Sequence, residues 1–388
     1  MLLIKNAKLY SPEFQGKKDI LTAGGSIIAI EQTIDEKSFN FLDLEILDAK
    51  GKMLVPGFID AHVHIAGAGG EGGPSTRTPE IQLSQLLSGG VTTVIGCLGT
   101  DGMTRSLNSV LMKVKSLRNE GISSWMYTGA YQVPPPTFFG DPGKDIALID
   151  EVIGLGEIAL SDHRSSVPTT NELIKLVEHA RVGGMLGGKA GVVNIHMGDA
   201  KNPFQPIYDA VNQSMLPLKQ FYPTHCNRND YIFEDAKSYG KKGYVDLTSS
   251  SYPFFPEYEV KPSKAIRELL AAGVPGNHIT MTSDANGSLP AFDREGNLVK
   301  LEMGQPLSLL LELRDAVREE KMDLETALPV ITSNPASILR LQNKGKIETG
   351  KDADLILLDE DFEINSVIAM GKLVVSDGRM LVKGTYES

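Results

Sequence analysis

Residues 56–65 read PGFIDAHVHI, an apolar stretch in which Asp60, His62 and His64 occupy alternate positions. Side chains at every second position of a β-strand point to the same face, so a strand here presents both imidazoles at a separation that suits binding of one metal ion. Two buried histidines that only hydrogen-bond within a core would give the same pattern. The two histidines therefore indicate a metal site only if other parts of the chain place further metal-binding residues near them.

Short apolar runs alternate with helical patterns through the middle of the chain, which is typical of a parallel α/β core. One helical pattern covers residues 171–186, where Leu173, Leu176, Val177 and Ala180 recur at helical spacing. Eight runs are predicted to be strands, and they fit a closed (β/α)8 barrel better than an open sheet. The predicted strands are 53–65, 91–100, 123–133, 152–162, 192–199, 221–227, 244–251 and 278–286.

Three further residues of metal-binding type stand near the ends of these predicted strands. They are His196 on the fifth, His225 on the sixth and Asp284 on the eighth. The C-terminal ends of barrel strands converge on one site, where His62 and His64 of the first strand would meet them. Four imidazoles and a carboxylate are a donor set that suits zinc, and an open coordination position would hold a reactive water. The residues therefore predict a metal-dependent hydrolase.

The two ends of the chain have a different pattern, with short β-type runs separated by turns that contain glycine. Residues 1–52 show it around Gly24 and Gly25, and it returns in residues 344–388. We expect these two segments to form one small β-sandwich domain and residues 53–343 to form the barrel domain.

Composition argues against several classes of function. The formal net charge of -11 disfavours binding to a nucleic-acid backbone, because such binding depends on clustered lysine and arginine. No run approaches the ~18 apolar residues of a membrane-spanning helix, and Lys5 and Lys8 interrupt the apolar start that a signal peptide requires. Only Cys97 and Cys226 occur, so we expect no disulfide framework. We therefore expect a cytoplasmic protein with neither nucleic-acid nor membrane partners.

Several motifs together resemble the amidohydrolase superfamily over nearly the whole chain. They are PGFIDAHVHI, the single histidines of the later strands, the SD of residues 283–284, and NPA at 334–336 followed by GKIETGKDADLILLD at 345–359. The resemblance implies a TIM-like (β/α)8 barrel with a mono- or binuclear metal centre, and a small β-sandwich built from both chain ends. This agrees with the independent strand pattern.

A closer resemblance is to the isoaspartyl dipeptidase family. It rests on the motifs HVHIAGAGGEGG, VTTVIGCLGTDG, TGAYQVPPPT, ALSDHRSS, THCNR and SDANGS. The family implies cleavage of the β-aspartyl bond in dipeptides derived from damaged Asp and Asn residues, and a homo-oligomeric assembly. The substrate contacts that it implies are Gly69, Glu71, Thr100, Tyr131, Arg164, Arg228 and Ser288.

The charges of these residues match those of the implied substrate. An isoaspartyl dipeptide has one ammonium group, which Glu71 would bind, and two carboxylates, which Arg164 and Arg228 would bind. Arginine suits planar, bidentate recognition of carboxylates, although a surface ion pair is the alternative for each arginine. The resemblance further implies that Tyr131 polarises the scissile carbonyl. Asp284 would act as general base and then as general acid. It would take a proton from a water molecule that the metal activates, which leaves hydroxide to attack, and would pass that proton to the leaving amine.

One position departs from the family pattern. The family bridges its two metal ions with a carboxylated lysine on the fourth strand, and the aligned residue here is Glu157. Glutamate offers the same carboxylate on a shorter arm, and an unpaired charge within an apolar strand would be costly. We expect Glu157 to bridge a pair of Zn²⁺ ions, while ligation of one ion only and a damaged centre are open alternatives.

Two other functions are open from the sequence. The same metal ligands would serve another amidohydrolase reaction, such as hydrolysis of a cyclic amide or an N-acyl-D-amino acid, and those substrates need no ammonium partner at Glu71. The second alternative is a non-catalytic protein that kept the barrel, which only the departure at Glu157 supports. The presence of the other five ligands argues against it.

Overall fold

The computed structural model of the chain describes residues 1–41, 43–293, 295 and 297–387. In chain order the strands are β1 (Leu2–Tyr10), β2 (Phe14–Ala23), β3 (Ser26–Glu31), β4 (Glu45–Asp48), β5 (Met53–Pro56), β6 (Phe58–Val63), β7 (Val91–Gly96), β8 (Ser123–Thr128), β9 (Val152–Leu160), β10 (Val192–Met197), β11 (Phe221–Thr224), β12 (Val245–Thr248), β13 (Ile279–Thr282), β14 (Ser288–Phe292), β15 (Leu298–Met303), β16 (Leu355–Leu358), β17 (Ile364–Ala369), β18 (Lys372–Ser376) and β19 (Arg379–Met380). The α-helices are α1 (Leu83–Ser88), α2 (Leu107–Glu120), α3 (Pro142–Leu148), α4 (Thr170–Gly187), α5 (Gln205–Asn212), α6 (Asp230–Tyr239), α7 (Pro262–Ala271), α8 (Ser308–Arg318), α9 (Leu324–Ala327) and α10 (Ser333–Ile338).

The barrel consists of β6 to β13, so each of the eight predicted strands is found. The strands β6 to β11 form one parallel sheet, and β12 pairs in parallel with β13. Backbone hydrogen bonds join these two groups on both sides, from Cys226 N–H to Asp246 C=O and from His64 N–H to Ala285 C=O. These bonds close the barrel, and the predicted fold class is confirmed.

Helix α4 shows how local sequence sets the elements around the barrel. It begins with a capping box, in which the Thr169 hydroxyl accepts from the backbone N–H of Glu172 and the Glu172 carboxylate accepts from the backbone N–H of Thr169. Its buried face includes Leu173, Val177 and Ala180, whose spacing predicted the helix. None of the helices in the described part of the chain combines the length and apolar character that crossing a membrane requires.

The two chain ends share a nine-stranded sheet, as the fold prediction requires. Its order is β19-β18-β17-β16-β5-β1-β2-β3, with β4 paired beside β1. The early and late strands meet where β16 pairs antiparallel with β5. The sheet curls back on itself, because Ile27 in β3 exchanges backbone hydrogen bonds with Gly350 and Lys351 just before β16. The curled sheet encloses an apolar core that includes Leu9 and Leu357.

The predicted first barrel strand is divided into two strands. Residues of β5 pair within the terminal sheet and β6 begins the barrel, with Gly57 between them. Gly57 packs so closely on the neighbouring strand that a Cβ there would lie 2.1 Å from Thr92 Oγ1. The division into domains at residues 52/53 and 343/344 stays a prediction, and the pairing of β5 gives the small sheet one strand more than that division assigned.

Candidate metal centre and substrate pocket

The predicted metal ligands meet at the C-terminal end of the barrel. Each lies on a barrel strand or within two residues of its C-terminal end, and each residue is at most 6% exposed. The six residues are His62, His64, Glu157, His196, His225 and Asp284. The structure therefore brings together all of the residues that the sequence nominated, and their role as ligands stays a prediction.

Glu157 lies at the centre of this cluster, and its two oxygens face different pairs of histidines. Glu157 Oε2 lies 3.3 Å from His62 Nε2 and 3.8 Å from His64 Nε2. Glu157 Oε1 lies 2.8 Å from His196 Nδ1 and 3.2 Å from His225 Nε2. One carboxylate between two pairs of imidazoles is the arrangement that a bridge between two metal ions needs.

The possible donor atoms form two groups that share Glu157, and within each group they lie within 4.8 Å of one another. One group also contains Cys97, whose Sγ lies 3.8 Å from His64 Nδ1. Sequence reasoning did not nominate Cys97 as a ligand. Its position immediately after β7 was the available signal, because the nominated ligands also come from the ends of barrel strands. Asp284 completes the cluster, with Oδ1 3.1 Å from His64 Nε2.

Three of the donor atoms have no hydrogen-bond partner among the described residues, although they are buried: His62 Nε2, Glu157 Oε2 and Asp284 Oδ1. Leaving a buried polar atom unsatisfied costs ~1–3 kcal/mol, and more when the group is charged. The three atoms lie side by side, since His62 Nε2 is 3.3 Å from Glu157 Oε2 and 3.7 Å from Asp284 Oδ1. A cation between them would satisfy all three, so the residues fit a metal centre.

Hydrogen bonds on the far side of two imidazoles orient them toward Glu157. His62 Nδ1 lies 3.1 Å from Asn194 Oδ1, and His225 Nδ1 lies 2.6 Å from Thr248 Oγ1. An amide oxygen only accepts, so His62 Nδ1 carries the proton and Nε2 keeps its lone pair for a metal ion. Asn194 itself packs against Gly156, where a Cβ would approach Asn194 Cβ to 2.8 Å. Glycine before Glu157 therefore allows β9 and β10 to approach closely at the centre.

The charges around the cluster also favour a cation within it. Burial acts to lower the pKa of His64, but Cys97 and Asp284 raise it well above its ordinary value. Burial acts to raise the pKa of Glu157, but the surrounding histidines hold it well below its ordinary range, so the carboxylate is ionised. Burial lowers the pKa of His225 to about 3, so this imidazole is neutral at physiological pH and offers a lone pair.

Two of the candidate ligands have an unusual backbone conformation. His225 has a φ of 61° and Asp284 a φ of 55°, and each follows the end of a barrel strand. Residues other than glycine rarely adopt this left-handed conformation, which costs of order 1–3 kcal/mol and tends to occur at functional sites. The turn out of the strand at these positions directs both side chains into the cluster.

A cavity of about 630 Å³ opens onto the metal-ligand cluster. This volume lies within the range of small-molecule sites, roughly 300–1,000 Å³. His64, His196, His225 and Asp284 form part of its lining. It is also lined by every substrate contact that the sequence nominated: Gly69, Glu71, Thr100, Tyr131, Arg164, Arg228 and Ser288.

Arg164 and Tyr131 have defined partners in this cavity. Arg164 Nη1 lies 3.5 Å from Glu71 Oε1 and 3.4 Å from Thr100 Oγ1. The Tyr131 hydroxyl lies 2.7 Å from His196 Nδ1. Burial and the negative charge of nearby groups raise the pKa of Tyr131 well above its ordinary value, so the hydroxyl keeps its proton and can donate a hydrogen bond.

Known proteins share this architecture and much of this sequence. A profile of the amidohydrolase family matches residues 210–374. A crystal structure of a beta-aspartyl dipeptidase from Fervidobacterium islandicum, in complex with beta-Asp-Leu dipeptide, is 46% identical, covers 98% of each chain and has a TM-score of 0.90. The chain belongs to the amidohydrolase family. The resemblance to the isoaspartyl (beta-aspartyl) dipeptidases is also confirmed, because a second structure of the Fervidobacterium enzyme is 43% identical over 98% of each chain, with a TM-score of 0.88.

The chain is also similar to enzymes that are named dihydroorotases rather than dipeptidases. A dihydroorotase from Staphylococcus epidermidis is 38% identical over 403 residues, which span 94% of this chain and 90% of the relative. A dihydroorotase from Elusimicrobium minutum is 25% identical over 92% of this chain and 88% of the relative. The family assignment alone therefore does not distinguish a dipeptidase from a dihydroorotase, and the residues of the pocket have to be compared with each substrate.

The hairpin β14–β15 forms an apolar wall of the pocket in this amidohydrolase. Leu289, Pro290, Phe292 and Val299 line the cavity from this hairpin, and the Phe292 ring meets the His163 ring edge-on, with centroids 5.0 Å apart. The hairpin was not predicted, because a proline within a short run argues against a strand. Edge strands tolerate proline, which explains its place here.

Sequence reasoning also missed Asp162, which lines the cavity and lies just after β9. Its Oδ2 is 3.0 Å from His196 Nε2 and 3.0 Å from Arg164 Nη2. The available signal was its place at the C-terminal end of the same strand that carries Glu157. It contacts one candidate metal ligand, His196, and two candidate substrate-binding residues, Arg164 and Arg228.

Proposed function

We propose that this amidohydrolase is a metal-dependent dipeptidase that hydrolyses the β-aspartyl peptide bond of isoaspartyl dipeptides. One observation carries the proposal: Glu71, Arg164 and Arg228 line the same cavity as the metal-ligand cluster. An isoaspartyl dipeptide has one ammonium group and two carboxylates, so one acid and two arginines complement its charges. The similar Fervidobacterium structure, which is in complex with beta-Asp-Leu dipeptide, supports the same assignment.

Glu71 has an atom available for the ammonium group. Its Oε2 is buried and has no hydrogen-bond partner among the described residues, and the same holds for Ser288 Oγ. Both atoms line the cavity walls, so a substrate with donors at these points would satisfy them. A cyclic amide substrate has no ammonium group and would leave Glu71 Oε2 without a hydrogen-bond donor.

The proposed cofactor is a pair of Zn²⁺ ions bridged by Glu157. His62, His64 and Asp284 would hold one ion with Glu157, and His196 and His225 would hold the other. Nitrogen and oxygen donors of this kind suit zinc. When bound, the ions would polarise the scissile carbonyl and lower the pKa of a water molecule to about 7.

The protein side chains then supply proton transfer and polarisation. Burial acts to raise the pKa of Asp284, but the nearby histidines, above all His64, lower it below its ordinary value, so the carboxylate is ionised and can accept a proton. Asp284 would take the proton of the attacking water and deliver it to the leaving amine. Tyr131 would donate a hydrogen bond to the carbonyl oxygen as negative charge develops on it.

We expect the purified, zinc-loaded protein to cleave β-Asp-Leu and to leave α-Asp-Leu intact, with about two zinc ions per chain. Both isomers carry the same charges, so the expected preference for the β-linked isomer rests on the similar Fervidobacterium structure in complex with beta-Asp-Leu dipeptide. The measurement is amine release from each dipeptide, with metal analysis of the same sample and a chelated sample reloaded with zinc as control. Turnover of dihydroorotate without cleavage of β-Asp-Leu would favour the cyclic-amide reaction instead, for which the dihydroorotase relatives argue.

We expect Tyr131→Phe to lower kcat about 10²-fold, the usual effect of removing one hydrogen-bond donor to the developing oxyanion. Metal content and KM should change little, because the ring stays and only the hydroxyl is lost. Tyr258→Phe is the matched control, since Tyr258 lines the same cavity but is 66% exposed. If Tyr131→Phe keeps the wild-type kcat, Tyr131 does not polarise the carbonyl.

The proposal includes a cytoplasmic location and a homo-oligomeric state. The cysteines Cys97 and Cys226 are both free and buried, as expected in a reducing compartment. The oligomeric state rests on the resemblance to the isoaspartyl dipeptidases. Light scattering of the purified protein tests it, and a mass of one chain would contradict it.

A further inference from the structure

We propose that Asp162 is a positioning residue, which holds the two carboxylate-binding arginines and the metal ligand His196 in one charged network. This inference rests on the proposed function and deepens it. Asp162 lies just beyond β9 and is 8% exposed. Among the described residues, its carboxylate pairs within 4 Å with the basic side chains of Arg164, His196 and Arg228.

Arg164 is held by both oxygens of Asp162. Its backbone N–H and Nε donate to Asp162 Oδ1 at 2.7 and 3.0 Å, and its Nη2 donates to Oδ2 at 3.0 Å. A forked contact of this kind fixes the plane of the guanidinium as well as its position. The other edge of the group, Nη1, is left facing Glu71 and Thr100 in the substrate cavity.

Asp162 Oδ2 also faces groups from two other parts of the barrel. It lies 3.0 Å from His196 Nε2 and 3.6 Å from Arg228 Nη1. When His196 Nε2 carries the proton toward Asp162, its Nδ1 keeps a lone pair on the side of Glu157 Oε1, 2.8 Å away. One carboxylate therefore orients a candidate metal ligand and Arg164, and it pairs with Arg228 at ion-pair distance, while Arg228 Nη1 also donates to the Met197 C=O at 3.1 Å.

Asp162 also competes with Glu71 for the positive charge of Arg164. Asp162 is nearer to Arg164 than Glu71 is, at 3.0 Å against 3.5 Å. Without the charge of Asp162, Arg164 would be drawn toward Glu71, the proposed partner of the substrate ammonium. Loss of the Asp162 charge would then weaken binding of a substrate carboxylate and of the substrate ammonium group together. The positions of the reacting atoms would change less.

We expect Asp162→Asn to raise KM for β-Asp-Leu about 10- to 100-fold, the size typical of losing hydrogen bonds to a charged group, and to lower kcat only a few-fold at saturating zinc. The amide keeps the shape of the side chain but loses the charge and turns one acceptor into a donor. The second readout compares β-Asp-Leu with its C-terminal amide, which lacks one carboxylate. The wild-type protein should lose affinity for the amide, and Asp162→Asn should discriminate less between the two.

Asp199→Asn is the matched control, because Asp199 lines the same cavity while its side chain pairs with Asn229 rather than with an arginine. It should keep the wild-type KM and discrimination. If Asp162→Asn does not fold, Asp162→Glu carries the test, and a raised KM with reduced discrimination is again expected. A folded, zinc-loaded variant at Asp162 with wild-type KM and discrimination would overturn the inference. Failure of the wild-type protein to cleave either compound would instead overturn the proposed function, and this inference with it.

Discussion

Replacing Asp284 with asparagine is expected to lower kcat for β-Asp-Leu by about 10³-fold or more without unfolding the protein, because an amide cannot shuttle the proton of the reaction. The residue is 6% exposed, and its Oδ1 lies 3.1 Å from His64 Nε2 and 3.7 Å from His62 Nε2. Glu157 Oε2 also lies within 4 Å of both histidine nitrogens, but of these two carboxylates Asp284 is the one that lines the cavity. The expected loss is therefore one of chemistry, with smaller changes in KM.

Asparagine is a suitable replacement because the backbone of Asp284 has a φ of 55°. Asn and Asp are the residues other than glycine that best tolerate this left-handed conformation, so the turn after β13 should be preserved. Circular dichroism and thermal unfolding test the fold, and metal analysis tests loading. Asp199→Asn again serves as the control for an acid that lines the cavity. A loaded Asp284→Asn protein that keeps more than roughly a tenth of the wild-type kcat would contradict the role of general base and acid.

Replacing Glu157 with alanine is expected to remove at least one of the two metal ions and nearly all activity. Each of its oxygens faces a different pair of histidines, so the substitution takes a donor from both groups of ligands. It also removes the negative charge that would separate two cations, whose mutual repulsion would then oppose binding of the second ion. Metal content should fall from about two ions per chain to one or fewer at equal free zinc.

A control for this experiment separates metal loss from loss of a buried acid. Glu312 is 5% exposed and accepts a hydrogen bond from the backbone N–H of Ser263, away from the pocket. Glu312→Ala should lower stability and keep its metal ions. Full retention of both ions by Glu157→Ala would show that Glu157 does not bridge them. Removal of bicarbonate should leave the wild-type metal content unchanged, because a glutamate needs no carbon dioxide to form a bridge.

Much of the architecture and of the site could be predicted from the sequence, because both depend on local periodicity. Alternation in a strand placed His62 and His64 on one face, and the convergence of barrel strand ends placed His196, His225 and Asp284 near them. These candidate ligands could therefore be nominated before any distance was known.

Other features were set only when the barrel closed, because they depend on distances between segments far apart in the chain. That the oxygens of Glu157 face separate pairs of histidines follows from the positions of three other strand ends. The proximity of Cys97 to His64 and the wall made by β14–β15 have the same origin.

The sequence by itself determined which residue types stand at the ends of the barrel strands, since periodicity within one element fixes the direction of each side chain. The tertiary structure decided which of their atoms face one another. Asp162 shows the difference, because nothing in its neighbourhood along the chain marks it as a partner of both His196 and Arg228. Those contacts join different strands, and only the packing of the closed barrel brings them within hydrogen-bond or ion-pair distance.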